Sequence, residues 1–318
     1  MGTALEARNL VKRFGGFTAV DDLSFSVQEG EVFGLLGSNG AGKSTAIRML
    51  CGLLSPSAGS ARVLEIDVGR DPEKVKRSIG YMTQRFSLYE DLSVRENLRF
   101  FGGVYGLGSA ALRERESWAV HAADLEGKEG LLTSALPLGW KQRLALVCSV
   151  LHRPKVVFLD EPTGGVDPIS RRRFWEFIDV MAAEGVTLLV TTHYLDEAEH
   201  CDRIAMMHAG RLVAKGSVAE LKEVFAGRAV LEVACPRYLE AMERLGREEW
   251  VLETAAFGTR LHVVVRAEEQ ADLRLLTLLE RDGNTPARVE KIVPSLEDVF
   301  IHYIEKEDTA RPAGSVLS

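Results

Sequence analysis

Residues 37–45 read Gly37-Ser38-Asn39-Gly40-Ala41-Gly42-Lys43-Ser44-Thr45, and Gly37, Gly42, Lys43 and Ser44 satisfy the spacing G-x-x-x-x-G-K-[S/T]. Glycines at these places let the backbone turn tightly and bring its N–H groups against phosphate oxygens with no Cβ in between. Lys43 supplies a compact positive charge for the β- and γ-phosphates, and Ser44 a hydroxyl for Mg²⁺. The flanks agree with this reading. Val32-Phe33-Gly34-Leu35-Leu36 is an apolar run expected of a buried parallel strand, and Thr45 to Leu50 reads as a helix halted by Gly52 and Pro56. That helix would aim its partially positive N-terminus at the phosphates.

The 318 residues allow two domains and a sizeable core. A formal net charge of −7 argues against a nucleic-acid partner, which needs clustered Lys and Arg. No apolar run approaches the roughly 18 residues of a membrane-spanning helix, and Val186 to Val190 has the length of a core strand. The N-terminus, Met1-Gly2-Thr3-Ala4-Leu5-Glu6, lacks the basic and apolar segments of a signal peptide, and Gly2 with Arg8 nearby fits an acylation motif poorly. Cys51, Cys148, Cys201 and Cys235 form no C-x-x-C pair or metal spacing, so they read as small buried hydrophobes.

A strand ending in an acid is the usual companion of a phosphate loop, and Val156-Val157-Phe158-Leu159-Asp160-Glu161 provides one. Asp160 at the strand's carboxyl end suits Mg²⁺, and Glu161 suits a general base that polarises water. By itself the same stretch would be a buried strand with two solvated acids. The order of these and further elements resembles the ATPase subunit of ABC transporters, over roughly residues 1–222.

That resemblance assigns roles along the chain. In Arg13-Phe14-Gly15-Gly16, Phe14 would stack on adenine; the alternative is a strand-end core aromatic. Gln84, in Tyr81-Met82-Thr83-Gln84, would sense Mg²⁺ and the attacking water. Asp167 is the acid of the loop Thr163-Gly164-Gly165-Val166-Asp167-Pro168, and His193, in Thr191-Thr192-His193, would contact the γ-phosphate. The resemblance implies ATP and Mg²⁺ as cofactors, a second ATPase domain (identical or different) as partner, and membrane-spanning permease subunits. It places the chain on the cytoplasmic face of a membrane.

The family signature, usually Leu-Ser-Gly-Gly-Gln before a basic helix, is altered. Residues 136–143 read Leu136-Pro137-Leu138-Gly139-Trp140-Lys141-Gln142-Arg143. In the family this motif reaches across a dimer to the partner's γ-phosphate. Pro137 has neither a hydroxyl nor an N–H, whereas Gly139 N–H and the helix N-terminus could still face a phosphate. A charge-assisted hydrogen bond of this kind is worth roughly 1.5–3 kcal/mol, so its loss slows hydrolysis without abolishing nucleotide binding. Alternatively the loop takes a variant conformation and works normally. The stretch is similar to one half of certain tandem ATPases of drug exporters, which implies an asymmetric pair.

The expected fold is therefore α/β: a P-loop NTPase with an antiparallel β subdomain (including Ala4 to Asn9 and Leu23 to Val27) and a helical subdomain at about 85–150. In the latter, Val94 to Gly102 opens with the capping box Ser93/Glu96, and Ala110 to Leu125 is a second helix. Arg85-Phe86-Ser87-Leu88-Tyr89 is apolar enough either to meet a membrane subunit or to pack beneath Gln84.

This domain is expected to end at 225, with Ala226-Gly227-Arg228 as junction. Over 228–305 the order is strand (Ala229 to Ala234), helix (Tyr238 to Leu245) and hairpin (Trp250 to Ala255 and Leu261 to Arg266, turning at Gly258). A helix (Glu268 to Arg281) and a strand (Ala287 to Val293) follow. This β-α-β-β-α-β sequence fits a small α+β ferredoxin-like domain. A last helix starts at the box Ser295/Asp298, and the polar residues 306–318 are expected to be disordered. Pro294-Ser295-Leu296-Glu297-Asp298-Val299-Phe300 resembles the ending of ATPases from daunorubicin-resistance-type exporters. Regulation or dimer contact is the role this second domain suggests. A different class, an ATP-binding regulatory subunit that barely hydrolyses, rests on Pro137 and Leu138. A family member acting on ribosomes or DNA is opposed by the acidic balance.

Overall fold

The computed structural model describes residues 2–84, 87–267 and 270–310. Contacts divide the chain into two compact units, Met1–Lys215 and Gly216–Ser318.

In the first unit, β1 (Thr3–Phe14) and β2 (Phe17–Gln28) form a long antiparallel hairpin around Gly15-Gly16. β3 (Val32–Gly37) leads into the phosphate loop and α1 (Lys43–Leu50). β4 (Ala58–Val63) and β5 (Ile66–Asp67) return to the hairpin, completing a sheet of order β2-β1-β4-β5. Its inward residues, among them Leu5, Leu10, Leu23 and Val63, share one core with Ile47 and Leu50 of α1.

α2 (Pro72–Ser78) then feeds β6 (Ile79–Met82). A helical layer follows: α3 (Val94–Val104), α4 (Ser109–Ala122) and α5 (Leu138–Ser149). It packs through Val94, Leu98, Ala119, Leu144 and Val147, and α3 opens with the expected Ser93/Glu96 box. β7 (Val156–Asp160), α6 (Pro168–Ala183), β8 (Thr187–Thr192), α7 (Leu195–Ala198), β9 (Arg203–His208) and β10 (Arg211–Gly216) finish the second sheet.

That sheet has the order β10-β9-β3-β8-β7-β6, and β9, β3, β8, β7 and β6 pair in parallel. β3, β7 and β8 are buried at every position, which is why their central residues read as apolar runs rather than alternating ones. The carboxyl ends of these three neighbours carry Gly37, Asp160 and Thr192. Parallel sheets bind ligands just beyond such ends.

The second unit begins with α8 (Val218–Lys222), capped by a Ser217/Glu220 box. β11 (Arg228–Ala234), α9 (Tyr238–Leu245), β12 (Val251–Phe257), β13 (Arg260–Arg266), α10 (Ala271–Arg281) and β14 (Arg288–Ile292) follow. The order β12-β13-β11-β14, antiparallel throughout, is ferredoxin-like. Leu231, Val233, Leu261 and Val263 form the core with Leu245, Leu275 and Leu279. The other sheet face meets α11 (Leu296–Ala310), where His262 Nδ1 lies 2.6 Å from Asp298 Oδ1 and His302 Nδ1 lies 2.6 Å from Glu253 Oε1.

Two expectations differ from this. The division between the units falls before Ser217, not at Ala226-Gly227-Arg228, because capped α8 packs on α11 inside the second unit. The tail is helical from Lys306 to Ala310, since no residue there breaks a helix before Pro312. Residues 311–318, Arg85, Phe86, and Glu268 of the expected α10 lie outside the described residues. Of the cysteines, Cys51, Cys148 and Cys201 are buried and Cys235 is half-buried. Among the described residues no helix is long and apolar enough to cross a membrane.

Candidate functional site

The phosphate loop is built around close approaches that only glycine permits. At Gly42 φ is +102°, and a Cβ would stand 2.4 Å from Ala19 O; at Gly37 it would stand 2.5 Å from Met207 O. Ser38, Asn39 and Gly40 are exposed, while Ala41 N donates to Ser38 O at 3.1 Å and closes the loop. α1 starts at Gly42 with no capping side chain and no acid in its first turn, which contains Ser44 and Thr45, so its N-terminal amides and positive dipole face the loop's concavity.

Lys43 is only 4% exposed. Its Nζ donates to Gly37 O at 2.7 Å and Ser38 O at 3.1 Å, and lies 3.1 Å from Glu161 Oε1. Glu161 has a left-handed backbone, φ 46°, held by its N–H donating to Thr191 O (3.1 Å) and Thr191 Oγ1 (2.9 Å). Strain of this type in a non-glycine residue is found where function fixes a side chain. The other carboxylate oxygen, Oε2, accepts from Gln84 Nε2 at 3.0 Å and lies 3.4 Å from His193 Nδ1. Glu161 thus gathers Lys43, Gln84 and His193.

Beside it, Ser44 Oγ donates to Asp160 Oδ1 at 2.9 Å, and Thr191 Oγ1 donates to the same oxygen at 2.7 Å. Asp160 is 1% exposed, and its Oδ2 has no hydrogen-bond partner among the described residues. A buried carboxylate oxygen left unpartnered next to a hydroxyl fits a divalent oxygen-seeking cation such as Mg²⁺. Burial and the nearby Asp160 carboxylate push the Tyr81 hydroxyl up to about 12.

The remaining expected site residues stand apart. Phe14 is 49% exposed at the hairpin tip, with Lys12 Nζ 5.2 Å from its ring centroid, so it is not a core aromatic. Asp167 caps α6: its Oδ1 accepts from Ser170 N at 3.0 Å, and hydrogen bonds from Ser170 hold its carboxyl below the usual range. Gly139 lies in the first turn of α5, where a Cβ would stand 2.4 Å from Ser170 Oγ; it lets α5 approach α6. Pro137 sits at the N-cap of α5 and makes no side-chain cap. Among the described residues no hydrogen bond or ion pair joins Phe14, Gly139 or Asp167 to the Glu161 cluster.

Three participants were not singled out from the sequence. Thr191 ties Asp160 to Glu161, Gln142 Nε2 donates to Pro162 O, and Glu197 is a buried acid near His193. Thr191 and Gln142 sit inside quoted motifs; nothing local marks Glu197.

With this geometry in view, comparison with known proteins is decisive. A family model described as ABC transporter matches residues 20–164, and one described as ATP-binding protein DrrA1-3-like, C-terminal domain, matches residues 216–304. The Nod factor export ATP-binding protein I of Rhizobium sp. (strain N33) is 36% identical over 96% of this chain and 98% of its own length. This chain belongs to the ABC transporter ATP-binding family. The daunorubicin/doxorubicin resistance ATP-binding protein DrrA of Streptomyces peucetius is 40% identical over 81% of the chain and 77% of that protein. The probable multidrug ABC transporter ATP-binding protein YbhF of Escherichia coli (strain K12) is 52% identical over 69% of the chain, which spans only 38% of YbhF. A solved ATP-binding subunit of an ABC transporter is 32% identical, with TM-score 0.64, over 70% of this chain and 93% of that one. As a member of this family the chain binds nucleotide, and the Lys43–Glu161 region is the place to look for it.

Proposed function

We propose that this chain is the ATP-hydrolysing subunit of an exporter, working as one of a pair of ATPase domains with membrane-spanning permease subunits on the cytoplasmic face of a membrane. The observation that carries the proposal is the convergence of Lys43, Gln84 and His193 on the Glu161 carboxylate, beside Ser44 and Asp160. The loop amides from Gly37 to Thr45 and the Lys43 ammonium hold the β- and γ-phosphates. Ser44 and Asp160 hold Mg²⁺, which when bound neutralises phosphate charge. Glu161 accepts the proton of the attacking water, Gln84 orients that water, and His193 donates to the γ-phosphate. Phe14, exposed and flanked by a lysine, suits stacking on adenine. Gly139 and Asp167 face a partner's nucleotide and the partner domain.

The residues around Glu161 lie on the first unit alone. The second unit pairs His262 with Asp298 and His302 with Glu253 but has no phosphate loop, and regulation or contact between subunits is the role proposed for it. Relatives named for export of Nod factor and resistance to daunorubicin support export as the direction. The test is calorimetric titration of the full chain with ATP and magnesium, followed by phosphate release with and without co-purified membrane subunits. Absence of any heat of binding would defeat the proposal. A second reading, an ATP-binding regulatory subunit, is favoured by Pro137 at the α5 N-cap and Leu138 after it; binding without turnover in the complete assembly would select it.

A further inference from the structure

We infer that Glu197 is a positioning residue that fastens the His193 loop and the 163–168 loop into one block, so that both move together relative to Glu161. The inference rests on the hydrolytic reading above. Glu197 lies in the short helix α7 and is 1% exposed. A carboxylate buried this deeply is stable only with partners that meet its charge.

Its partners come from three separate segments. Thr163 Oγ1 donates to Oε1, Thr192 Oγ1 donates to Oε2 at 2.7 Å, and Arg171 Nε lies 3.5 Å from Oε1. Thr163 opens the loop that ends at Asp167, the cap of α6. Thr192 immediately precedes His193, and its hydroxyl also accepts from Tyr194 N at 2.9 Å. One hydroxyl therefore restrains the backbone on both sides of His193, and Glu197 holds that hydroxyl. Arg171 closes the block from α6: it pairs with Asp196 at 3.2 Å, and its guanidinium carbon sits 4.4 Å from the Tyr194 ring centroid.

None of these partners belongs to the phosphate loop. Lys43 and Ser44 are held by Gly37, Ser38, Glu161 and Asp160 instead. Removing Glu197 should therefore leave the phosphate loop's hold on nucleotide intact, and ATP loses at most its single His193 contact. His193 Nδ1 stands 3.4 Å from Glu161 Oε2, so a displacement of about 1 Å takes it out of useful reach. Turnover should fall far more than affinity.

The test uses the full-length chain as wild type, Glu197→Gln and Glu197→Ala, with three readouts: the ATP dissociation constant, kcat in the assembly with its membrane and partner ATPase subunits, and amide hydrogen exchange over residues 37–45, 161–168 and 190–198. Glu197→Gln keeps the side-chain volume and an acceptor for Thr192, and loses the ion pair with Arg171. The expected result for Glu197→Ala is ATP affinity within about fivefold of wild type, kcat lower by about 10- to 100-fold, and faster exchange in 161–168 and 190–198 together but not in 37–45. Glu197→Gln should fall between the two. Exchange rising in only one of the two loops overturns the inference. So does kcat within about twofold of wild type in Glu197→Ala, or weakened ATP binding with exchange rising equally in 37–45. If the complete assembly containing the wild-type chain binds ATP without turnover, the hydrolytic reading fails, while the exchange readout still decides whether Glu197 couples the loops.

Discussion

Replacing Glu161 by Gln separates its two jobs. In this structure the carboxylate is an ion-pair partner of Lys43 as well as the proposed base, and the lysine must exchange that partner for phosphate oxygens. At the observed 3.1 Å the attraction is about 1.3 kcal/mol with water-like screening and about 5 kcal/mol at an effective dielectric of 20. Burying both charges offsets much of the larger figure, so the lower one is the better guide. Glu161→Gln keeps an oxygen for Gln84 Nε2, and Lys43 keeps Gly37 O and Ser38 O, so the fold should hold. Freed from the carboxylate, Lys43 should bind ATP up to roughly tenfold more tightly. Turnover should fall by about 10²- to 10⁴-fold through loss of the proton acceptor. Calorimetry gives the first number and phosphate release the second. Weaker ATP binding would refute the competition between Glu161 and phosphate, and turnover within about threefold of wild type would refute Glu161 as base.

Lys43→Ala removes charge-assisted bonds worth about 1.5–3 kcal/mol, so ATP affinity should drop roughly 10- to 150-fold in the same titration. Unchanged affinity would remove the phosphate loop from the argument. Pro137→Ser combined with Leu138→Gly restores a hydroxyl and an N–H at the start of α5; phosphate release by the chain alone should rise severalfold, and no change would show that the altered signature already works. Burial pushes His152 down to about 4, with its Nε2 3.1 Å from Ile79 O, so the folded chain keeps it neutral while the unfolded chain binds a proton near 6.5. Its contribution is complete above about pH 6.5 and is lost as pH falls toward 4; His152→Gln should flatten the fall in urea-unfolding stability between pH 7 and 5, and an unflattened fall would contradict the assignment.

What could be read from the sequence follows from how local each signal is. β3, the phosphate loop and α1 are contiguous, so strand pattern, glycine spacing and helix start all confirm one another within 32–50. The ferredoxin-like order of the second unit was legible for the same reason: Leu261, Val263 and Val265 alternate with His262 and Val264, and Gly258 marks the turn with φ 60°. Helix ends were less so. Lys306, Glu307 and Asp308 are polar enough to suggest a loose tail, yet polar residues without Gly or Pro continue a helix already nucleated by the Ser295/Asp298 box. Phe14 was undecidable because a strand-end aromatic is apolar whether it packs or waits for a ligand; only its exposure separates the two. Glu197 was invisible, since its partners at 163, 171 and 192 meet only after α6 and β8 have folded.

The same long-range logic bears on the altered signature. Gln142, fully buried on α5, donates to Pro162 O, the carbonyl directly after Glu161. Gly139 admits Ser170, whose N–H is capped by Asp167. The first turns of α5 are thus fastened to the 161–170 segment at both ends of that segment. Pro137 and Leu138 alter neither fastening: Leu138 is 42% exposed and Pro137 makes no cap, so both changes lie on the outward side. In the proposed pair, such a chain would keep the geometry around its own Glu161 while changing what it offers to its neighbour. The convergence of Lys43, Gln84 and His193 on Glu161 is what the proposed asymmetric pair requires, in which this chain's nucleotide would meet an intact signature from its partner.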